Sequence, residues 1–216
     1  MAFEQVNHKV VAAPVAPGRE VLSRRGAMLA YTGQVGFAPV HTGAGGARGL
    51  AGRAVAGEHV SMMVARGTGK VYYGYAGLYV TIIELDGTGS LSVEADRLVA
   101  HDAVLQPTVV FLGEQGGLRG VVRGAVSGQG LFTTQLHGAG SVAVLSHGGT
   151  IALPVRPGQA TTVDPQAYVA HVGDVQAAVT LNASWRDAVG RGSGEAVQLK
   201  MSGAGTVYVQ ASEQKI

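Results

Sequence analysis

The sequence predicts an all-β protein in which one chain contains three similar units. Two sequence phrases each occur three times, which indicates a supersecondary unit repeated along the chain. Short runs of β-branched and aromatic residues, such as 71–75 and 79–85, have the composition of strands rather than of amphipathic helices. Glycine supplies 34 of the 216 residues and separates these runs, as expected of turns and bulges.

The two phrases alternate along the chain. The first occupies residues 56–74, 127–145 and 193–210, and the second occupies residues 16–33, 87–102 and 156–172. Within the second phrase, Tyr31, His101 and His171 are in register and equally spaced. His101 follows Tyr31 by the same number of residues as His171 follows His101. We call this spacing the repeat period of the chain. A period of this length indicates units that stack or form a ring around a shared core.

A split third unit predicts how the sheet closes. If a unit starts with the first phrase, whole units cover about 56–105 and 127–175, and the third is divided between 16–35 and 193–212. Strands near Val207 should then pair with strands near Leu29, which would remove two exposed sheet edges. We expect residues 1–216 to form a single domain, because any cut would leave a unit incomplete.

Local signals place the remaining elements in chain order. Prolines fall at strand starts or turns, where a missing N–H donor costs least. The glycine-rich stretch 42–52 is predicted to be a flexible surface loop. Asp86-Gly87 is a type I′ hairpin signal. Only residues 176–189 are compatible with a short helix, and Thr180, Asn182 and Trp185 disfavour it.

The composition limits chemistry and location. The chain has no cysteine, which excludes disulfides and thiolate metal sites. It has no apolar run near the ~18 residues that span a bilayer and no secretory signal, so we expect a cytoplasmic protein without a transmembrane segment. Only 14% of residues are charged, which favours either extensive subunit contact or an uncharged surface rich in small residues.

The charge distribution is mildly asymmetric. The net charge is +2, with +4 in residues 1–53 and therefore −2 in the remainder. The N-terminal part could present a basic face to phosphate or to a membrane surface, although scattered cations are more often solvated loop charges.

Patterns of catalytic residues fail on spacing. Residues 67–70 read Gly-Thr-Gly-Lys, but position 64 is Val64 and Val71 follows the lysine, so a phosphate-binding loop is not formed. The serines considered as nucleophiles do not lie in a G-x-S-x-G turn; they are Ser127, Ser146 (beside His147) and Ser202. The carboxylate pairs Glu84/Asp86 and Glu94/Asp96 flank turns, where solvated acids are expected. We predict no catalytic residue, no cofactor and no enzymatic activity.

The register of Tyr31, His101 and His171 raises the question of a metal site. Two imidazoles and a phenol from equivalent units could converge on a pseudo-threefold axis. Tyrosine is a poor structural zinc ligand, however, and no carboxylate recurs at the adjacent position, where Thr32, Asp102 and Val172 stand. We predict no metal site and leave the convergence of the three side chains open.

The order of several phrases resembles one known family. GAMLAYTGQV, LVAHDAVL, VSGQGLFTTQLHGAGSVAVLSHGG, VDPQAYVAHV and SGAGTVYVQAS are similar to phrases of the Altered Inheritance of Mitochondria protein twenty-four family, over about 16–212. The resemblance implies a fold like that of the tryptophan RNA-binding attenuation protein, with three short β-sandwich or double-stranded β-helix units per chain. It also implies homotrimers, and it supplies no catalytic residues.

These observations favour a non-catalytic, oligomeric binding or scaffold protein, with a homotrimer as the expected assembly. A small-molecule or RNA site between units is the alternative, and an uncharacterised enzyme is a further one. RNA is disfavoured because Lys70 corresponds to Ser141 and Thr206, so no cation repeats in all three units. The 42–52 loop and the Trp185–Arg186 region are expected to recognise any partner.

Overall fold

A computed structural model describes residues 2–40, 61–111, 132–181, 197–214 and 216. The glycine-rich stretch 42–52 and the Trp185–Arg186 region lie outside the described residues. The strands are β1 (Glu4–Asn7), β2 (Val10–Val15), β3 (Val21–Arg24), β4 (Met28–Pro39), β5 (Met62–Tyr73), β6 (Tyr79–Glu94), β7 (Leu98–Asp102), β8 (Gln106–Phe111), β9 (Phe132–Ser146), β10 (Thr150–Val155), β11 (Thr161–Val163), β12 (Tyr168–Leu181) and β13 (Val197–Gln210).

The all-β prediction is confirmed. The described strands form one 13-stranded antiparallel sheet, and one 3₁₀ turn at Ala95–Arg97 is the sole helical element in the described ranges. The main path of the sheet runs β1-β2-β5-β3-β7-β9-β6-β12-β13-β10, while β4, β8 and β11 pair with β5, β9 and β13. Within the described part of the chain, no helix has the length and hydropathy needed to cross a membrane.

Three long strands organise this sheet, and each has similar partners. β5 pairs with β4 and with the short strands β2 and β3. β13 pairs with β12 and with the short strands β10 and β11. β9 pairs with β7 and β8, and with two parts of β6 separated by a register shift between Asp86 and Ser90.

Two further pairings join the parts organised by these long strands. β3 pairs with β7, opposing Leu22 to His101. β6 pairs with β12, opposing Ser92 to His171. The two junctions therefore have the same register, displaced by one repeat period on both strands.

The predicted closure is wrong, because Val207 of β13 pairs with Leu153 and His171 and not with the strand that contains Leu29. Over the described residues the sheet is open. The error lies in the assumed start of a unit: a repeat has no intrinsic first residue, and each second phrase pairs with the first phrase that follows it. Tyr31 opposes Val71 and His171 opposes Val207. Pairing with the nearer phrase closes a shorter loop, which costs less chain entropy.

One local prediction also differs from the structure. Asp86-Gly87 does not form a hairpin, because β6 continues on both sides of it and pairs with β9 before and after the register shift. The Asp86 carboxylate instead accepts the backbone N–H of Thr88 at 2.9 Å and its hydroxyl at 2.7 Å, which makes a local turn inside the strand. Residues 176–181 are strand within β12 rather than helix.

The core consists of three apolar clusters along the sheet. One, centred on Val71 and Tyr73, joins β2, β3 and β5 to β7 and β9. A second joins β6, β7 and β9 to Val169 and Ala170 of β12, and a third lies under β10, β11, β12 and β13. Because the first two clusters contain residues from both sides of a junction, the parts of the sheet share their cores.

Candidate functional site

A polar cleft lies where β3 meets β7. Its volume is about 790 Å³. The ionisable residues that line it are Arg19, Glu20, Glu84 and Asp102, and the other lining residues are small or hydroxylated, with the exception of Val104. One cation against three carboxylates gives the lining a formal charge of −2.

The strands determine which side chains meet in this cleft. A tight turn joins Ala16 to Arg19 by reciprocal backbone hydrogen bonds of 3.2 and 2.8 Å, and so places Arg19 just before β3. Asp102 ends β7, directly opposite Val21 of β3. Glu84 and Ser141 face each other across the β6–β9 pair. One tight turn and two strand pairings therefore bring these side chains together.

The polar groups of the cleft bond mainly to one another. Asp102 accepts hydrogen bonds from Arg19 at 3.3 Å and from the backbone N–H of Ser141 at 2.9 Å. The Ser141 hydroxyl donates to Glu84 at 2.9 Å and accepts the backbone N–H of Phe3 at 3.1 Å. The Asp102 side chain is only 8% exposed. This network ties the N-terminal segment to β6, β7 and β9.

This network occurs at one junction only. The positions one and two repeat periods after Arg19 hold Gly89 and Gln159. Asp102 likewise corresponds to Thr32 and Val172. The positions equivalent to Glu84, which opposes Ser141, hold prolines in β2 and β10. Pro14 opposes Lys70, and Pro154 opposes Thr206. The cleft is thus an asymmetric feature of an otherwise similar pairing scheme.

The cleft offers one side-chain hydroxyl in its lining, that of Ser141. Its lining contains no histidine, and the chain has no cysteine. The Ser141 proton is directed at Glu84, with no imidazole in the lining to act as a base. The polar side chains of the lining are therefore the Arg19 guanidinium, three carboxylates and this hydroxyl.

A second polar cluster is buried around Arg97, which is 0% exposed. Its Nε donates to Glu94 at 2.5 Å and its Nη1 donates to Gln210 at 2.6 Å. The same Gln210 oxygen accepts the backbone N–H of His147 at 2.9 Å. The Nη2 of Arg97 has no hydrogen-bond partner among the described residues. Arg97 therefore links β6 to the end of β13.

Comparison with known proteins gives a family for this fold. The family model described as Mitochondrial biogenesis AIM24 matches residues 3–212, nearly the whole chain. The chain belongs to the AIM24 family. The resemblance in the sequence phrases is therefore confirmed.

A similar fold has been seen in a crystal structure. The structure of protein SPYM3_0169 from Streptococcus pyogenes matches with a TM-score of 0.70 over 98% of this chain and 92% of that one. Identity between the two is 20%, so the likeness concerns the fold alone. A search of curated proteins gave no significant match.

The three residues in register in this AIM24 chain occupy equivalent strand positions but different environments. Tyr31, His101 and His171 oppose valines that each stand second after a Gly-x-Gly sequence, namely Val71, Val142 and Val207. His101 is 2% exposed and His171 is 5% exposed, whereas Tyr31 is 48% exposed. No hydrogen bond or ring contact joins these three described side chains. The described residues contain no group of three or more histidines or carboxylates suited to a metal ion.

The hydrogen bonds of the two histidines identify their neutral tautomers. The Tyr168 hydroxyl donates to the Ser92 carbonyl at 3.1 Å, so its contact of 2.9 Å with His171 Nδ1 requires a proton on that nitrogen. His101 Nδ1 likewise donates to the Asp102 carbonyl at 2.9 Å. Burial lowers the pKa of His171 to about 4, and it also lowers the pKa of His101. Both rings therefore act as neutral packing groups.

Lys70, Ser146, His147 and Ser202, which the sequence analysis considered, do not line the cleft. Lys70 forms an ion pair of 2.8 Å with Glu4 across the end of β2. The Ser146 hydroxyl and the His147 Nε2 are buried and lack hydrogen-bond partners in the described ranges. Ser202 lies in β13 opposite Gln176, and Ser127 lies outside the described residues.

Sequence reasoning missed Arg97 and the Arg19–Asp102 contact. Arg97 follows an ordinary strand end, and its partner Gln210 is 113 residues away. In the sequence, Arg19 stands out only as part of a diffuse basic segment. The sequence did contain one signal, because neither residue is repeated: the positions equivalent to Arg19 and to Asp102 in the other units hold other residue types.

Proposed function

We propose that this AIM24 protein is a non-catalytic, homo-oligomeric binding or scaffold protein. The observation that carries the proposal is the surface of β4. Met28, Leu29 and Tyr31 on this strand are 41%, 57% and 48% exposed. Among the described strands, β4 pairs with β5 alone, so its other edge is open. Long apolar edge strands of this kind invite pairing with another chain.

The contacts of the polar groups support a non-catalytic role. Asp102, Ser141 and Arg97 each bridge elements that are distant in the sequence, which is the behaviour of structural contacts. The histidines are held neutral in packed positions. These buried polar groups therefore help to hold the sheet together.

We further propose that the chain consists of three similar units and that the oligomer is a cytoplasmic trimer. The common registers of the two junctions and the shared partners of β5, β9 and β13 support the three units. The low charged fraction of 14% is consistent with a surface largely covered by other subunits.

Mass measurement tests the oligomer directly. Light scattering coupled to size exclusion should give three times the 22.0 kDa of one chain. The same eluate, purified from its native cells, should carry a stoichiometric partner if the oligomer is a scaffold. A 22.0-kDa species at all concentrations would reject the oligomer, and substrate turnover in a metabolite screen would reject the non-catalytic role.

The cleft beside Arg19 favours a second candidate function, the binding of a small polar molecule. Its volume is sufficient for a metabolite-sized ligand, and its carboxylates favour a cationic one. Thermal-shift screening against amines and neutral polar metabolites would test it, with Glu84→Gln as the variant that should lose a specific shift. Pro14 and Pro154 show that this strand position does not need a carboxylate for folding.

A further inference from the structure

We infer that the open edge of β4 pairs with β11 of a second copy of this chain, with Tyr31 opposite Thr162. This inference rests on the proposed oligomer and specifies the surface that forms it. The argument comes from the two junctions already present inside the chain, which act as templates for a third.

The first template is the β3–β7 junction. Here Val21 opposes Asp102, Leu22 opposes His101 and Ser23 opposes Ala100. The second template is the β6–β12 junction. There Leu91 opposes Val172, Ser92 opposes His171 and Val93 opposes Ala170. Every residue of the second junction stands one repeat period after its counterpart in the first.

Applying the same repeat period once more defines a third junction, which the described part of the chain does not form. One period after residues 91–93 come residues 161–163, which are the whole of β11. One period before residues 100–102 of β7 come residues 30–32, in β4. The pairing would set Thr161 opposite Thr32, Thr162 opposite Tyr31 and Val163 opposite Ala30. In the described chain β11 pairs with β13 alone and β4 with β5 alone.

The backbone of β4 already has the shape of a paired junction strand. A register shift lies between Met28 and Ala30 in β4. It recurs between Leu98 and Ala100 in β7, and between Tyr168 and Ala170 in β12. Because bulges set the local twist of a strand, the three strands present similar edges beside their junction residues.

The exposure of equivalent alanines shows that the third junction lacks a neighbouring strand in the described chain. Ala100 and Ala170 are 0% exposed, and each lies against the neighbouring strand of its junction. Ala30 at the equivalent position is exposed, as are Tyr31 and Thr32. Neither 29–33 nor 160–163 contains a charged residue or a proline, the usual protection of an edge strand. The two edges are therefore complementary and unguarded.

The two edges differ, so the contact is head to tail. One copy contributes β4 and the next contributes β11, which leaves a free edge at each end until a ring closes. Such an assembly continues, between chains, the pairing that each chain makes twice within itself. In a closed trimer, every junction strand of all three chains would be paired.

Cysteine cross-linking tests the register, because the native chain contains no cysteine. Tyr31→Cys and Thr162→Cys are made in separate, differently tagged chains and co-expressed. Opposed residues of an antiparallel pair have Cα atoms about 4.5–5.5 Å apart, within disulfide range. Mild oxidation should yield a covalent dimer with one copy of each tag. Since each chain holds one cysteine of the pair, pairing within a chain cannot produce this dimer.

The matched control moves one cysteine by one residue. Thr161→Cys replaces Thr162→Cys, and because neighbours on a strand face opposite sides, its mixed dimer should fall at least several-fold. Circular dichroism and thermal melting verify that each variant folds. In the wild type, the amides of segments 29–33 and 161–163 that do not bond to β5 or β13 should exchange slowly in the assembly and faster after dilution to the monomer.

The outcomes separate this inference from the proposed function. A mixed dimer specific to Tyr31 and Thr162, with exchange protection of both segments, supports the junction. An oligomer that shows neither result overturns the junction while leaving the oligomer in place. A chain that is monomeric at all concentrations overturns both. A further variant carries both Tyr31→Cys and Thr162→Cys in one chain. If the disulfide forms only within that chain and never between chains, the junction is overturned in favour of closure inside one chain.

Discussion

At the scale of single residues, the stability of this protein depends on a few buried polar groups. His171 is neutral when folded, because burial lowers its pKa from 6.5 to about 4. In the unfolded chain the ring binds a proton near pH 6.5, so between pH 4 and 6.5 the unfolded state holds more protons. The free energy of unfolding should therefore fall on acidification from pH 6.5 towards 4, by about 3 kcal/mol from this group.

Substitution isolates this contribution. In His171→Gln the decline of the unfolding free energy between pH 6.5 and 4, measured by urea titration, should be shallower than in the wild type. His8→Gln, which removes an exposed histidine, is the matched control. Equal slopes for wild type and His171→Gln would show that His171 is not held neutral by burial.

Arg97 should be the most sensitive charged residue of the fold. Arg97→Met leaves Glu94, whose side chain is 15% exposed, without its guanidinium, and broken buried pairs cost about 3–5 kcal/mol. Adding Glu94→Gln removes the carboxylate charge that faced the guanidinium and should recover part of the loss. Lys70→Met breaks the exposed pair with Glu4 and should change the melting temperature far less. A loss no greater than that of Lys70→Met would mean that the buried pair contributes little.

At the scale of elements, glycines allow the long strands to approach closely. A Cβ at Gly205 in β13 would overlap the carbonyl oxygen of Val172 in β12, and neither backbone can move freely inside the sheet. Gly205→Ala should therefore cost about 1–3 kcal/mol or more in the free energy of unfolding. Gly36→Ala in β4 is the control, because nothing lies within 4 Å of its added Cβ. Equal stability of the two variants in denaturant titration would contradict the close approach.

The elements also show how far the sequence determines the fold. Strand composition and the repeat period predicted the fold class and the equivalent positions of Tyr31, His101 and His171, which pair with equivalent valines. The period could not say where a unit starts, because a repeat is unchanged by a shift of its origin. Pairing partners depend on that origin, which is why the predicted partner of Val207 was wrong. The cleft depends on Arg19 and Asp102 meeting across 83 residues, which no local signal encodes.

At the scale of the whole molecule, the proposed assembly uses β4, an edge strand of the open sheet with exposed apolar side chains. Charged side chains on an edge block the approach of another strand. Tyr31→Lys should therefore convert the assembly into a folded 22.0-kDa monomer, because residue 31 lies on the exposed edge strand β4. Its far-ultraviolet circular dichroism should stay that of the wild type, since the Tyr31 ring is exposed and packs against Phe37 of the same strand.

Ile151→Lys provides the matched control for the assembly surface. Ile151 is 59% exposed on β10, another edge of the same sheet, and it lies outside the inferred junction. Light scattering should give the wild-type mass for Ile151→Lys and the single-chain mass for Tyr31→Lys. If both variants keep the oligomer, the edge of β4 is not the assembly surface; if both become monomers, assembly uses more than one edge. The inferred junction predicts a monomer for Tyr31→Lys and the wild-type mass for Ile151→Lys, because, of these two edges, only that of β4 continues the strand pairing of one chain into the next copy.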